Sequence, residues 1–233
     1  MTLPPLRERR PSGSAMRFDD AEPATVVLVR HGETEATVAR TMSGSAAPGP
    51  SLSSAGRVQA ARAADLVFRI GREHWTDLPH PDSVVCSPLA RTRQTATAIG
   101  RRLGANLRDD PRARECDFGD WEGRTPGEIE AATPGAMRAW FADPVLRAPG
   151  GESLVDVGDR MTDLLDELGA ANRGRSVVLV AHVMAIRAGV GRALAMPAPA
   201  WGGLRIPAAS VTILRLWADG DRELVCLGVP PDL

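Results

Sequence analysis

Apolar residues in this chain gather into short runs. Val26-Val27-Leu28-Val29, Ser83-Val84-Val85-Cys86 and Val177-Val178-Leu179-Val180-Ala181 are mostly β-branched and bounded by polar residues. Runs of this length without alternation predict strands buried on both faces. Between them, apolar positions recur at helical spacing. Ser53 is a candidate cap for a helix whose stripe is Val58, Ala61, Ala64 and Phe68. Ser87-Pro88 reads as a helix cap followed by proline at the first helical position, with Leu89, Thr92, Ala96, Ile99 and Leu103 as the buried stripe. Thr125-Pro126-Gly127-Glu128 spells a capping box. Ser153 opens a further helix with Leu154, Val157, Met161, Leu164 and Leu168 on one face. Residues 209–217 and 222–228 read as two late strands joined by an Asp219-Gly220 turn.

Apolar strands alternating with helices predict an α/β fold, a three-layer α/β/α arrangement with a mostly parallel central sheet. The late hairpin adds an antiparallel edge. Residues 1–24 are rich in Pro, Arg, Ser and acids without apolar periodicity, and they predict a disordered tail before a single domain over 25–233. Residues 41–51 form a Gly/Pro-rich loop.

Composition narrows the chemistry. The formal charge of −1 offers no electrostatic drive toward nucleic acid or an anionic membrane. All 28 basic residues are arginine, so Schiff-base and P-loop lysine chemistry are excluded. Three scattered cysteines make neither a disulfide framework nor a zinc site, and fit a reduced cytoplasmic setting. No apolar run approaches membrane-spanning length, and no secretory signal is evident.

The reactive residues lie at the strand ends. The first strand runs into Arg30-His31-Gly32, the second into Ser87 and Arg91, the third into His182. Ligands in open α/β sheets bind beyond these carboxyl ends. A histidine after a strand is, alone, more often a hydrogen-bonded loop residue than a catalyst. Two of the chain's four histidines in this position, with two arginines, argue for an oxyanion site. His74 and His80 lie in a Pro/Trp-containing loop and read as surface residues.

Six ordered blocks carry a family resemblance: Arg30-His31-Gly32-Glu33-Thr34, residues 52–60, Ser87-Pro88-Leu89-Ala90-Arg91-Thr92, Glu115-Cys116-Asp117-Phe118-Gly119, Gly151-Glu152-Ser153 and Val180-Ala181-His182. Together they resemble the histidine phosphatase superfamily, of phosphoglycerate-mutase-like fold. The resemblance implies that His31 takes the phosphoryl group, that Arg30, Arg91, His182 and Thr37 hold its oxygens, and that Glu115 is the general acid. It implies a phosphoric monoester hydrolase acting on a small phosphorylated substrate and releasing inorganic phosphate, without cofactor or metal, with a homodimer expected by analogy. The chemistry is consistent with these residue types. Fixed cations suit the spread charge of phosphoryl transfer, and a carboxylic acid with an elevated pKa can protonate the leaving oxygen. Arg57 and Arg93 read as helix-surface residues, Glu152 as a charge at a helix start, and Trp121 and Trp140 as packing.

Two positions depart from the family pattern. Thr37 stands where many members carry Asn, and Val183 where many carry Gly. The Ala181-His182-Val183-Met184 variant is similar to α-ribazole-phosphatase-like relatives. The short stretch between Glu115 and His182 resembles the compact phosphatase branch rather than the mutases. A mutase and a catalytically dead phosphate-binding module are the alternative readings.

Overall fold

The computed structural model describes residues 21–232. Six strands form one sheet in the order β3-β2-β4-β1-β5-β6. They are β1 (Ala24–Arg30), β2 (Pro81–Cys86), β3 (Leu107–Asp109), β4 (Ser176–Ala181), β5 (Val211–Leu216) and β6 (Arg222–Val229). The first four run parallel, and β5 and β6 add the antiparallel edge beside β1. The expected tail lies largely outside the described residues. Its last residue, Ala24, already pairs with Leu216, so the sheet begins inside the expected boundary.

Alternate residues of the central strands feed two cores. Val26, Leu28, Val177 and Leu179 face one side, with α6 (Leu154–Ala171) and α7 (Val183–Ala193). Val27, Val29, Val178 and Val180 face the other, with α2 (Ser54–Arg69) and α3 (Ala90–Leu103). This is the three-layer α/β/α arrangement. The four side chains Val26–Val29 are fully buried, and each contributes about 1.5–3 kcal/mol.

Capping behaves as the sequence predicts at three starts. Ser53 accepts from Gly56 N, and Thr125 and Ser153 close reciprocal boxes at α4 (Pro126–Ala132) and α6. Two expectations fail. The buried face of α2 is Gly56, Ala60, Ala63, Ala64, Leu66 and Val67, while Val58 and Ala61 are exposed and the half-buried Phe68 ring meets the Arg72 and Arg102 guanidiniums. Small residues let α2 lie close to its neighbours, and that packing outweighs the bulk of Val58. Ser87 does not cap α3 either. The helix starts after Leu89, and the Ser87 hydroxyl serves His182 instead. Three helices, α1 (Glu35–Ala39), α5 (Ala136–Ala142) and α7, and the short strand β3 have no counterpart in the sequence reading.

The sheet register sets the site. Arg30 lies opposite Ala181, so His31 and His182 leave adjacent strands at one level. Gly32 and Gly56 then permit a close approach. A Cβ on Gly56 would lie 2.0 Å from Glu33 O, so the start of α2 sits directly on the turn that follows His31.

Candidate active site

The His31 ring is buried at the end of β1. Its Nδ1 lies 2.7 Å from Gly32 O. A carbonyl only accepts, so Nδ1 carries the proton and Nε2 keeps its lone pair. Burial pushes the His31 pKa well below its ordinary value, and Arg91 and Arg30 push it further down. The ring is therefore neutral at neutral pH. The turn is held from both sides: His31 N donates to Ala181 O, and Ala209 N donates to His31 O.

Arg30 reaches from the same turn, its Nη1 donating to Ile206 O at 2.7 Å. Arg91, in the first turn of α3, is almost wholly buried. Its Nη2 donates to Ser43 O and Gly44 O, each at 3.0 Å, and its Nε to His182 Nδ1 at 3.2 Å. Its Nη1 is buried without a hydrogen-bond partner. A buried guanidinium nitrogen left unpaired is costly, and an anion is its natural partner.

His182 is buried with its ring 5.1 Å from that of His31. Because Nδ1 accepts from Arg91, Nε2 carries the proton and donates to Ser87 Oγ at 2.8 Å. Burial and the charge of Arg91 hold its pKa well below the ordinary value. His182 is thus neutral, and the added charge that protonation would give is missing. It does not line the cavity, whereas its successors Val183 and Met184 do.

Glu115 sits across from these groups, buried. Its carboxyl accepts from Cys116 N (2.9 Å), Met184 N (3.1 Å) and Ala185 N (3.3 Å). Burial raises its pKa, while these amides and the nearby arginines pull it back down. The net direction is upward, as an acid at neutral pH needs. Arg160 holds the backbone beneath it, donating to the carbonyls of Arg112, Arg114 and Glu115 and pairing with Glu152 at 3.0 Å. Glu152 also accepts from Asp117 N. It therefore braces the acid loop more than it charges a helix start.

These groups converge on a cavity of about 250 Å³ lined by Arg30, His31, Thr37, Arg91 and Glu115, with an apolar wall of Phe118, Trp140, Phe141 and Met184. Thr37 reaches it, but its hydroxyl also closes the cap of α1 with Thr34. Trp121 stays out of the cavity, packed edge-on against Trp140. Trp140 is both core and wall. Arg57 and Arg93 face elsewhere, on Leu52 O and Asp109. Sequence reasoning missed Arg187 and Arg40, which also line the cavity. The one available signal for Arg187 was its place a turn along the helix that His182 opens. Among the described residues, no group of three or more His, Cys, Asp or Glu could hold a metal ion, and no helix is long and apolar enough to cross a membrane.

A neutral histidine with a free lone pair, arginines around it and an elevated acid opposite define an enzyme that transfers phosphoryl groups. Comparisons with known proteins lead to the same class. The family model for the histidine phosphatase superfamily (branch 1) matches residues 26–229, and the chain belongs to that superfamily. It is 39% identical over 183 residues to a glucosyl-3-phosphoglycerate phosphatase of Mycolicibacterium vanbaalenii, covering 76% of each chain. The solved native structure of a mycobacterial glucosyl-3-phosphoglycerate phosphatase superposes with a TM-score of 0.77 at 35% identity, over 89% of this chain and 99% of that one. A probable phosphoglycerate mutase of Serratia proteamaculans is 34% identical, over 80% of this chain and 82% of its own. The protein is a phosphoric monoester hydrolase of the superfamily, and its fold is the one its sequence predicts.

Proposed function

We propose that the protein hydrolyses a small phosphorylated metabolite through a phosphohistidine on His31. The observation that carries this reading is the unprotonated Nε2 of His31, fixed by the Nδ1–Gly32 O bond beside an arginine-lined cavity. His31 Nε2 attacks phosphorus while the ester P–O bond breaks. Glu115 delivers its proton to the departing oxygen, and the alcohol leaves. Water then attacks the phosphohistidine, the Glu115 carboxylate takes its proton, and phosphate leaves a neutral His31. Arg30 and Arg91 bind the equatorial oxygens throughout, supplying charge that metal ions supply in other phosphoryl-transfer enzymes. Neutral His182 acts through Arg91, holding its Nε. Thr37 contributes a hydroxyl at the edge of the phosphate.

In this reading residues 25–233 are the catalytic domain, the active species is a homodimer, and the enzyme works in the cytoplasm, where its three unpaired cysteines stay reduced. The test is labelling with a phosphate-labelled ester, quenched in alkali because phosphohistidine is acid-labile. A label on His31 that is lost in His31→Ala, together with release of inorganic phosphate, is the expected result. Turnover that survives His31→Ala refutes the mechanism. An isomerised ester in place of free phosphate indicates the mutase.

A further inference from the structure

We infer that Glu122 is a positioning residue for Arg91, holding it at the phosphate through Gly44 and tempering its grip by charge. The inference rests on the part of the proposed mechanism that places phosphate on Arg91, and it concerns how phosphate is held and released there. Glu122 is half-buried and stands outside the cavity lining, just past the acid loop. Its Oε2 accepts from Gly44 N at 2.9 Å, and its Oε1 lies 3.4 Å from Phe118 N. Gly44 O in turn accepts from Arg91 Nη2 at 3.0 Å. One residue of backbone thus links a carboxylate to a buried guanidinium.

The fit around this link is close. A Cβ on Gly44 would lie 2.0 Å from Glu122 Oε1 and 2.4 Å from Cys116 O. Backbone bonds sew the same two segments together: Met42 N donates to Arg124 O, and Gly123 N donates to Met42 O. Met42, Ser43 and Phe118 all line the cavity, so the seam is part of its wall. Glu122 therefore steadies two parts of the site at once. One is the pair of carbonyls, Ser43 O and Gly44 O, that aim Arg91. The other is Phe118, in the loop that carries Glu115.

The carboxylate also acts by its charge. Burial lowers the Arg91 pKa, and the charges of Glu115 and then Glu122 raise it again. For Arg30 and Arg187 the carboxylate with that effect is Glu115. Glu115 must be protonated to act as the acid, and at that moment Glu122 is the carboxylate charge still acting on Arg91. A negative charge behind the guanidinium repels a phosphate dianion in front of it. Phosphate is the product as well as part of the substrate. Gripping both more tightly does not speed the chemistry, and it slows release. The hydrogen bond to Gly44 and the charge of Glu122 thus pull phosphate affinity in opposite directions, and substitution can separate them.

The test measures the affinity of inorganic phosphate for the full chain by titration calorimetry at low salt. Glu122→Gln keeps an oxygen for Gly44 N and removes the charge, so phosphate should bind about 3- to 10-fold more tightly than to wild type. Glu122→Asp keeps the charge and withdraws the reach, so phosphate should bind about 3- to 10-fold more weakly. A purely structural residue would give no gain in affinity in either variant. If the Asp variant folds poorly, the Gln variant decides alone. A Gln variant with unchanged or weaker affinity, or an Asp variant that tightens as Gln does, overturns the inference. Hydrolysis of an aryl phosphate by His31→Ala reports separately on the mechanism. Phosphate binding needs no turnover, so hydrolysis that survives in that variant removes the phosphohistidine, while the role of Glu122 is still decided by the affinities.

Discussion

Replacing Glu115 with Gln separates the proton donor from everything else in the site. The substitution is nearly isosteric. The carboxyl Oε1 accepts from Cys116 N, Met184 N and Ala185 N, and an amide oxygen can accept all three. Only Oε2, 3.3 Å from Met184 N, gives up an acceptor. The fold should therefore survive, and the buried group no longer ionises. The chemical loss depends on the leaving group. An alkyl ester needs the proton, so its kcat should fall by about 10²- to 10⁴-fold. A nitrophenyl ester expels a stable anion, so its first step should fall far less. Its phosphoenzyme should accumulate, because the base for water attack is missing. The assay is rapid-mixing kinetics, read as a burst of nitrophenol close to one equivalent before a slow steady state. The pH profile gives a second readout. Neutral His31 is required and its pKa is depressed, so the acid limb lies below pH 6.5. Protonated Glu115 is required and its pKa is elevated, so an alkaline limb appears above the ordinary carboxyl value and vanishes in the variant. Equal losses on both esters, or an unchanged alkaline limb, would refute the role of Glu115.

Further predictions follow from single contacts. Arg91→Lys should lose about 10²-fold or more in kcat/KM, because a point charge cannot replace bonds to His182, Ser43 and Gly44 together; limited proteolysis should show the 41–51 loop released. Gly56→Ala should destabilise the fold by about 1–3 kcal/mol in urea unfolding, since the added Cβ meets Glu33 O at 2.0 Å; an unchanged midpoint would contradict the close approach. Both site histidines have folded-state pKa values below the ordinary 6.5, so the unfolded chain binds more protons as pH falls. Their contribution to stability is present above pH 6.5 and lost on acidification, and thermal unfolding of His182→Asn should show a shallower decline below that pH than the wild type.

Five of the six strands and three of the caps were legible because each rests on local signals: β-branched runs, Ser or Thr before a helix, Asp-Gly at a turn; β3, three exposed residues long, gave none. The register that sets His31 beside His182 was not legible, because a parallel sheet leaves strand order open and only tertiary packing places β4 beside β1. The face of α2 was not legible, because Gly56, Ala60, Ala63 and Ala64 give little contrast in hydrophobicity with Ala61, and burial there follows how closely a neighbour approaches. Ser87 misled because Ser-Pro before an amphipathic stretch matches a cap, and only tertiary structure brings His182 to its hydroxyl. Arg187 and Arg160 look like any helical arginine in sequence. Their roles depend on backbone carbonyls of Leu204, Arg112 and Arg114, and a carbonyl has no sequence signature. Neutral His182 was likewise hidden, since its charge is decided by burial.

The anchoring of the His31 turn has a consequence for how the enzyme comes into being. His31 O is bonded by Ala209 N, Arg30 N donates to Ser210 O, and the Arg30 guanidinium rests on Ile206 O, 176 residues further along the chain. A ribosome emits the Arg30-His31 turn well before the 206–210 segment. Until that segment emerges the turn lacks the groups that fix it, and β1 lacks first both of its neighbours, β4 and β5, and then β5 alone. Closing contacts of such long range is slow compared with local folding. Nascent chains stalled before β5 should carry folded α2 and α3 but hold no phosphohistidine, so chemical competence waits for a segment made long after the nucleophile itself.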